Sequence, residues 1–372
     1  MIRPISIGLV VAAALVGLAV GVVGPARGLW PHPLPPAQTQ SAPIGPRNVY
    51  AAAMALAIPR QVADIAARVY VPNSGDATVD VIDPTTRRVI AHFAVGAIPH
   101  HIAPSWDLTH LYVDNTAADT LTVIDPRLGE PVATLKIADP YNLYFTPDGR
   151  YAVVVAERLN RLDFYDPSTW AKAFSVPIPW SGVDHLDFSA DGTYLLASTE
   201  FSGIVAKVDI ALRQVTGTVE VGSLPVDVRL APDGTVFYVA NQGRHGVSVI
   251  DPERMQEITF IPTGKGAHGL QISRDTRFAY VSNRLAGTIS VIDLATRQVT
   301  GTWSVGGSPD MMQLSPDGRE LWTSNRFASA VSVIDTATGT LLARVDVGRN
   351  PHGLTYFPQP GRFSLGHNGV YR

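Results

Sequence analysis

The chain has no cysteine among its 372 residues. Disulfide bonds, thiolate metal ligands, cysteine nucleophiles and lipid-modified N-terminal cysteines are therefore all excluded. Any metal ion that the protein binds must be held by nitrogen and oxygen atoms, which directs attention to its ten histidines and to its carboxylates.

Charge is also scarce, since charged residues make up 16% of the chain and the net charge is only −3. Lysine occurs four times, and there is no basic run. Nucleic-acid binding depends on a concentrated positive surface, so the composition gives no indication of a nucleic-acid partner. The 46% hydrophobic content is instead enough for a large core, and the chain is not of the disordered class.

An uncharged apolar run occupies residues 5–24, after Arg3 and before a Gly-Pro-Ala sequence that ends at Ala26. This order is typical of an export signal. The run is about 20 residues long, which is enough to span a bilayer. Residues 1–27 are therefore predicted to be either a cleaved signal peptide or an N-terminal membrane anchor that tethers the protein through residues 5–24. Both interpretations place the protein outside the cytoplasm, secreted, periplasmic or on the outer side of the cytoplasmic membrane.

Residues 28–68 are predicted to be a linker rich in proline and alanine. The dense prolines of residues 31–47 favour an extended spacer. Between Asn48 and Arg68 an alanine-rich stretch, broken at Pro59, predicts two short helical segments.

A repeat of about 42 residues runs through the rest of the chain. Each copy has four short apolar segments joined by Asp-Gly and Asp-Pro turns and no helical period, which predicts a four-stranded antiparallel sheet. The third segment of each copy ends in an aspartate, which we expect to form the following turn. These aspartates are Asp83, Asp125, Asp166, Asp209, Asp251, Asp293 and Asp335.

Seven such sheets bury both of their faces when they stack around a central channel. The sequence therefore predicts an all-β fold, a seven-bladed β-propeller of four-stranded antiparallel blades over residues 69–361. The first copy begins at its second strand, residues 69–73, and the last strand, residues 352–357, has no partners of its own. The C-terminal strand should join the N-terminal blade and close the ring. Residues 362–372 form a C-terminal tail that we expect to fold back over a blade or the channel, with His367 near a surface opening.

A Tyr-Val-x-Asn signature recurs in the second strand of the copies. It occurs at Tyr70–Asn73, Tyr112–Asn115, Tyr238–Asn241 and Tyr280–Asn283, with a variant at Trp322–Asn325. Over residues 69–357 the chain therefore resembles the YVTN-repeat family of seven-bladed propellers. The resemblance implies the fold and an exported protein. It does not choose among surface-layer proteins, exported binding proteins, haem-binding propellers of nitrite reductases and lactonase propellers. The third and fourth copies depart from the signature, with Glu157 and Glu200 beside the position of the asparagine.

Polar side chains recur where each innermost strand begins. The loop that enters this strand and the loop between the second and third strands emerge on one face of a propeller, so their residues should converge on one channel mouth. Two adjacent alignment columns hold five of the ten histidines. The first contains His100, Tyr141, Asp184, Val226, His268, Asp310 and His352, and the second contains His101, Asn142, His185, Asp227, Gly269, Met311 and Gly353.

Neutral imidazoles and carboxylates are the ligands that a divalent transition metal such as Zn²⁺, Mn²⁺ or Fe²⁺ accepts. We predict His100, His268 and His352 as metal ligands. The same mouth also fits an anionic ligand, recognised by arginine and protonated histidine, with Glu157 and Glu200 paired to Arg158 or to other partners. The predicted ligand-binding residues are His101, Glu157, Asp184, His185, Glu200, Arg284, Asp310 and Arg326.

Three functions remain open at this point. The first is a monomeric binding or interaction module whose partner is a small molecule or an envelope protein. The second is an enzyme of the hydrolase, lactonase or redox type that uses a metal or cofactor at the mouth. The third is a structural envelope protein. The sequence assigns no catalytic residue, and the GKGAHG segment at residues 264–269 lacks the following helix that a dinucleotide site requires.

Overall fold

The computed structural model describes residues 48–372. These residues contain seven four-stranded antiparallel sheets, and six of the sheets are formed by four consecutive strands. The innermost strands of neighbouring sheets contact one another around a central channel. The predicted seven-bladed propeller is therefore confirmed.

The blades are numbered I to VII in chain order, and their strands are numbered β1 to β28. Blade I contains β1 (Arg68–Asn73), β2 (Thr78–Asp83), β3 (Arg88–Ala94) and β28 (Thr355–Phe357). Blade II contains β4 (Pro99–Pro104), β5 (Leu111–Asn115), β6 (Thr120–Asp125) and β7 (Glu130–Lys136). Blade III contains β8 (Asn142–Phe145), β9 (Ala152–Ala156), β10 (Arg161–Tyr165) and β11 (Lys172–Pro177). Blade IV contains β12 (Val183–Phe188), β13 (Tyr194–Thr199), β14 (Ile204–Asp209) and β15 (Gln214–Glu220).

The remaining three blades follow the same order. Blade V contains β16 (Pro225–Leu230), β17 (Phe237–Asn241), β18 (Gly246–Asp251) and β19 (Gln256–Pro262). Blade VI contains β20 (Ala267–Ile272), β21 (Phe278–Asn283), β22 (Thr288–Asp293) and β23 (Gln298–Ser304). Blade VII contains β24 (Pro309–Leu314), β25 (Glu320–Asn325), β26 (Ala330–Asp335) and β27 (Leu341–Asp346).

The recurring aspartates form the turns between the third and fourth strands. The side chain of Asp83 accepts a hydrogen bond from the N–H of Thr85 at 2.9 Å, and Asp335 accepts one from Thr338 at 2.8 Å. The same contact between an aspartate and the backbone two or three residues later occurs in all seven blades. Their expected role as turn formers is therefore confirmed, and it is local.

The ring is closed by the C-terminal strand. In blade I, β28 pairs with β1 through Val69 with Tyr356 and Tyr70 with Thr355, and Asn73 forms a further bridge to Pro351. The closing strand is shorter than predicted, because residues 352–354 lie outside the regular ladder. Closure through β28 is nevertheless confirmed, and it supplies the innermost strand that blade I otherwise lacks.

The core lies between adjacent blades. The innermost strands β4, β12, β16 and β24 are buried along their full length, whereas outermost strands such as β3 alternate between exposed and half-buried residues. Trp322 of blade VII is fully buried and its ring lies 5.9 Å from that of Tyr356 in blade I. The largest side chains therefore fill the wedge between sheets rather than the channel.

Both ends of the described chain pack on the propeller. A helix, α1 (Ala51–Met54), precedes Pro59, and a 3-10 helix (Arg60–Val62) follows it. Two other 3-10 helices, Thr116–Ala118 and Arg326–Ala328, follow β5 and β25. No helix within residues 48–372 is long and apolar enough to cross a membrane. The predicted signal or anchor and the proline-rich spacer lie outside the described residues.

The C-terminal tail inserts into the channel from the face where the innermost strands end. The N–H of Phe145 donates to the carbonyl oxygen of Leu365 at 2.9 Å, and Gly366 bridges Tyr144. The tail turns at His367 and Asn368, which both have positive φ, and Ser364 then bridges Tyr371. The fold-back is as expected, but the expected position of His367 is wrong, because its side chain is fully buried in the channel.

Candidate functional site

The two histidines at the start of β4 lie in a β-bulge. Pro99 pairs with Asn115 and Ile102 pairs with Val113, so His100 and His101 together lie opposite one residue. A bulge breaks the strict alternation of side chains along a strand. Both imidazoles are therefore buried in the channel, with 9% and 0% of their surface exposed.

The same extra residue occurs in four other blades. The register shifts lie between Val183 and Leu186, Pro225 and Val228, Ala267 and Leu270, and Pro309 and Met312. The two alignment columns are therefore largely the bulge positions of the innermost strands. Serine hydroxyls of the preceding blades donate hydrogen bonds to backbone carbonyl oxygens at these alignment positions. Ser198 donates to Val226 at 2.6 Å, Ser282 donates to Asp310 at 2.5 Å, and Ser324 donates to His352.

Five buried histidines form one continuous cluster, which we call the histidine cluster. Its members are His100, His101, His185, His352 and His367. The ring centroids of His100 and His352 are 4.0 Å apart, and those of His101 and His352 are 4.6 Å apart. Nitrogen atoms of His100, His101 and His352 lie within 4.8 Å of one another, as do those of His101, His185 and His367. Each of these two trios has enough imidazoles for a metal ion.

Hydrogen bonds fix the tautomers of two members of the cluster. The Nδ1 of His352 lies 2.9 Å from the carboxylate of Asp310, and the Nδ1 of His101 lies 3.1 Å from the side-chain oxygen of Asn368. Asp310 can only accept, so the Nδ1 of His352 carries the proton, and the side-chain oxygen of Asn368 favours the same tautomer of His101. The Nε2 atoms of His101 and His352 therefore keep their lone pairs, and both are buried without a hydrogen-bond partner.

Burial keeps the histidine cluster neutral. It lowers the pKa of His100, His101, His352 and His367 well below the usual value, and it lowers the pKa of His185 to about 4. Neighbouring arginines and histidines act in the same direction. Neutral imidazole is the form that binds metal ions, so at neutral pH the histidines of the cluster are already in the protonation state that coordination requires.

Asp310 connects the cluster to the arginines at the mouth. Its carboxylate lies 2.6 Å from Arg284, 2.8 Å from the Nδ1 of His268 and 3.8 Å from Arg326. Burial acts to raise the pKa of Asp310, but Arg284, His268 and His352 hold it well below its usual value. The buried carboxylate is therefore ionised, and it interacts with several cationic or N–H groups at once.

His268 belongs to neither trio, although its ring centroid lies 5.7 Å from that of His352. Its Nδ1 contacts Asp310, and its Nε2 lies 2.5 Å from a terminal nitrogen of Arg284. His268 thus lies between Asp310 and Arg284, although its Nδ1 makes no hydrogen bond of good geometry among the described residues. His101, which we expected to bind ligand, lies with His100 and His352. The structure therefore groups His101, rather than His268, with the other two predicted metal ligands.

Acidic groups occupy the other side of the mouth. Burial and mutual repulsion raise the pKa values of Glu157 and Glu200 to about 7, with Asp184 the strongest charged contributor in both cases. Burial likewise raises the pKa of Asp184 to about 7. Arg158 does not pair with Glu157 as expected, because it lies 2.7 Å from Asp139 and 2.8 Å from Asp119. At the mouth, burial and the charge of Asp184 therefore favour the protonated form of both Glu157 and Glu200.

Three residues of the site were not among the predicted site residues. The tail brings His367 and Asn368 into the channel, where His367 contacts Asn142 and stacks on Tyr144 with ring centroids 5.3 Å apart. Asp227 was aligned in the second column but not assigned a role. It pairs with Arg229 at 3.0 Å and lies 3.7 Å from His367. For His367 and Asn368, the unusually high aromatic and glycine content of the tail was the one feature of the sequence that could have indicated a role in the site.

Solved structures share this fold at low sequence identity. A chain of the hydrazine synthase of Kuenenia stuttgartiensis is 21% identical with a TM-score of 0.63, over 74% of this chain and 97% of that one. The dihydro-heme d1 dehydrogenase NirN, in complex with DHE, is 19% identical with a TM-score of 0.61, over 80% and 77% of the two chains. A functionally unknown protein from Desulfotomaculum acetoxidans is 18% identical with a TM-score of 0.66, over 79% and 99%. These similarities establish the fold alone.

The family is shown by sequence. No curated protein gives a significant match to the chain. The family model of the YNCE-like beta-propellers, however, matches residues 39–360, which include all seven blades and the closing strand. Together with the repeat and the ring, this match shows that the chain belongs to the YNCE-like beta-propeller family.

Proposed function

We propose that this propeller is a metal-dependent binding module. A divalent transition-metal ion such as Zn²⁺ or Fe²⁺ is held by His100, His101 and His352 and binds a small polar ligand at the channel mouth. The observation that carries the proposal is the buried trio whose nitrogen atoms lie within 4.8 Å of one another. Such a distance is consistent with three bonds of about 2.0 to 2.1 Å to one ion.

The hydrogen-bonding pattern supports coordination rather than a purely structural role. An acceptor that is buried without a partner costs about 1 to 3 kcal/mol, and the Nε2 atoms of both His101 and His352 are in that state. A metal ion would satisfy both atoms. The carboxylate of Asp310 behind His352 also matches the usual arrangement in which an acidic group orients a metal-binding histidine.

Access to solvent favours this trio over His101, His185 and His367. The three residues of the second trio are fully buried, whereas His100 has 9% of its surface exposed at the mouth. A ligand can reach a metal ion only where one coordination position opens toward solvent. Arg326, whose side chain is 23% exposed, lies 3.4 Å from His100 and supplies a positive charge for an anionic group of that ligand.

Metal analysis of the full-length protein, purified without chelators and then titrated with Zn²⁺ and Fe²⁺, tests this proposal. We expect about one ion per chain. The variant His352→Ala should bind at least tenfold more weakly, because it loses one of three ligands. His185→Ala, in the second trio, and His92→Gln, on the exposed face of blade I, should retain binding. If the parent binds no stoichiometric metal, or if only His185→Ala loses it, the proposed site is wrong.

The location of the protein is a separate proposal. We propose that it acts outside the cytoplasm, because residues 5–24 have the composition of an export signal or anchor. We also propose that it is a monomer. A reporter enzyme that is active only after export, fused after residue 47, should be active with the natural sequence and inactive when residues 5–24 are deleted. Equal activity of the two fusions would contradict export. Light scattering of residues 48–372 should give the mass of a single chain.

A further inference from the structure

A small polar cavity lies at the face of the propeller where the innermost strands end, opposite the face where the bulges with His100 and His101 begin. Its volume is about 40 Å³. It is lined where β16, β20 and β24 end, by the tail and by the segment of α1. The polar side chains that line it include Arg229, Gln271, Arg274, Gln313, Gln359 and Tyr371.

The charge of one arginine at this cavity, Arg274, is not balanced by a carboxylate of the described residues. Arg229 pairs with Asp227 at 3.0 Å, and the neighbouring Arg372 pairs with Asp187 at 2.6 Å. Arg274, by contrast, has no carboxylate within 4.0 Å among the described residues. Its terminal nitrogen donates to two neutral oxygens, those of Ser315 at 3.0 Å and Gln359 at 2.7 Å.

Two buried donors at the cavity have no acceptor within residues 48–372. They are the Nε of Arg274 and the hydroxyl of Tyr371, whose residue is only 5% exposed. Each lining glutamine already donates one amide N–H to a backbone carbonyl, Gln271 to Ile272, Gln313 to Gly369 and Gln359 to Leu314. The group missing from this pocket is therefore an acceptor, and a negatively charged one would also neutralise Arg274.

We propose that this cavity binds a small monovalent oxyanion, such as nitrate or the carboxylate of formate or acetate, held by Arg274 and Tyr371. A planar oxyanion offers two acceptor atoms in the arrangement that a guanidinium and a hydroxyl can share. The volume accommodates about three water molecules, which matches an anion of three or four heavy atoms. This site is independent of the metal proposal, because it shares no residue with the histidine trio.

The test is a titration of the full-length protein with sodium nitrate, formate and acetate at constant ionic strength set by sodium chloride, followed by melting temperature and calorimetry. We expect a saturable rise of the melting temperature in the parent and its loss in Arg274→Gln. Tyr371→Phe should weaken binding about tenfold while leaving the packing of the ring unchanged. Arg319→Gln, whose side chain is 86% exposed, is the matched control and should bind like the parent.

Several outcomes would overturn the proposal. They are the absence of saturable binding in the parent, equal binding by the parent and Tyr371→Phe, and crystals grown in nitrate that show only water in the cavity. If Arg274→Gln does not fold, Tyr371→Phe alone decides, because it removes a single hydroxyl. His352→Ala should retain anion binding, so failure of the metal proposal and failure of this one are distinguishable.

Discussion

The N–H of Gly353 donates a hydrogen bond to the carbonyl oxygen of His100 at 2.9 Å, and so joins the closing segment of the chain to the innermost strand of blade II. This contact also sets His352 beside His100, with ring centroids 4.0 Å apart. Ring closure and assembly of the histidine cluster are therefore the same structural event. Changes that weaken the closing strand should affect both stability and the site.

Leu354→Ala tests the closing segment. Leu354 is fully buried with Val69, Val71 and Trp322 between blades I and VII. Removing its side chain leaves a cavity, so we expect the free energy of unfolding in urea to fall by about 3 kcal/mol. Leu128→Ala is the control, since Leu128 is 61% exposed and its truncation should change stability by less than about 0.5 kcal/mol. Equal effects of the two substitutions would show that the closing segment contributes little.

Asp310→Asn tests the buried charge at the mouth. The amide cannot neutralise Arg284, whose side chain is only 14% exposed, so we expect a loss of about 3 kcal/mol in the free energy of unfolding. The double variant Asp310→Asn with Arg284→Met removes both charges and should recover at least half of that loss. Urea denaturation measures both. A double variant that is less stable than Asp310→Asn would contradict this account of the pair.

Gly366→Ala tests the insertion of the tail. Gly366 has a φ of +83°, and a Cβ there would collide with the carbonyl oxygen of Leu143. Gly306 has a φ of +66° with no atom within 4 Å of an added Cβ, so Gly306→Ala carries only the backbone strain of about 1 kcal/mol. We expect only Gly366→Ala to expel the tail, seen as faster hydrogen exchange of the amide of His367. Equal exchange in the two variants would mean that the tail tolerates the collision.

Glu200→Gln tests the acidic side of the mouth. The pKa of Glu200 is raised from 4.5 to about 7, first by burial and then by Asp184, while Arg284 and Arg326 oppose the shift. Between these values the folded protein binds more protons than the unfolded chain, so the free energy of unfolding falls as the pH rises. In the variant, residue 200 has no carboxyl group to titrate, so this part of the fall in the free energy of unfolding is absent. Relative to the parent it should gain about 1 kcal/mol as the pH rises from 4.5 to 7, a value reduced for partial exposure.

Urea denaturation at several pH values measures this difference. Glu220→Gln, at the exposed end of β15, is the control for the loss of one glutamate carboxyl group. If the difference in the free energy of unfolding between Glu200→Gln and the parent does not change with pH, Glu200 does not retain its proton in the folded protein.

Much of the fold and part of the site could be predicted from the sequence. The aspartates that end the third strands, such as Asp83 and Asp335, accept hydrogen bonds from backbone N–H groups two or three residues later. Because this contact is local, the spacing of the aspartates in the sequence gives the number and length of the blades. The number of strands follows from the number of repeats. Closure follows because the first copy lacks its innermost strand, and the C-terminal strand is the one that has no other partner. The convergence of His100 and His352 follows from the same geometry.

The choice among the histidines could not be predicted. His268 and His101 are both in the aligned columns, but only His101 has a ring nitrogen within 4.8 Å of nitrogens of both His100 and His352, whereas His268 lies between Asp310 and Arg284. This difference depends on side-chain orientations across blades. A bulge that places two neighbours on one side of a strand also has no signature in an alternating pattern.

The sequence by itself determined the number of blades, the position of their turns and the pairing of the first blade with the last strand, because these depend on short-range turn chemistry repeated seven times. Only the tertiary structure decided that the tail enters the channel and that His367 and Asn368 complete the histidine cluster. The physical reason is that the tail belongs to no repeat. Its place is set by the space and the unpaired polar groups that the closed ring leaves at its centre.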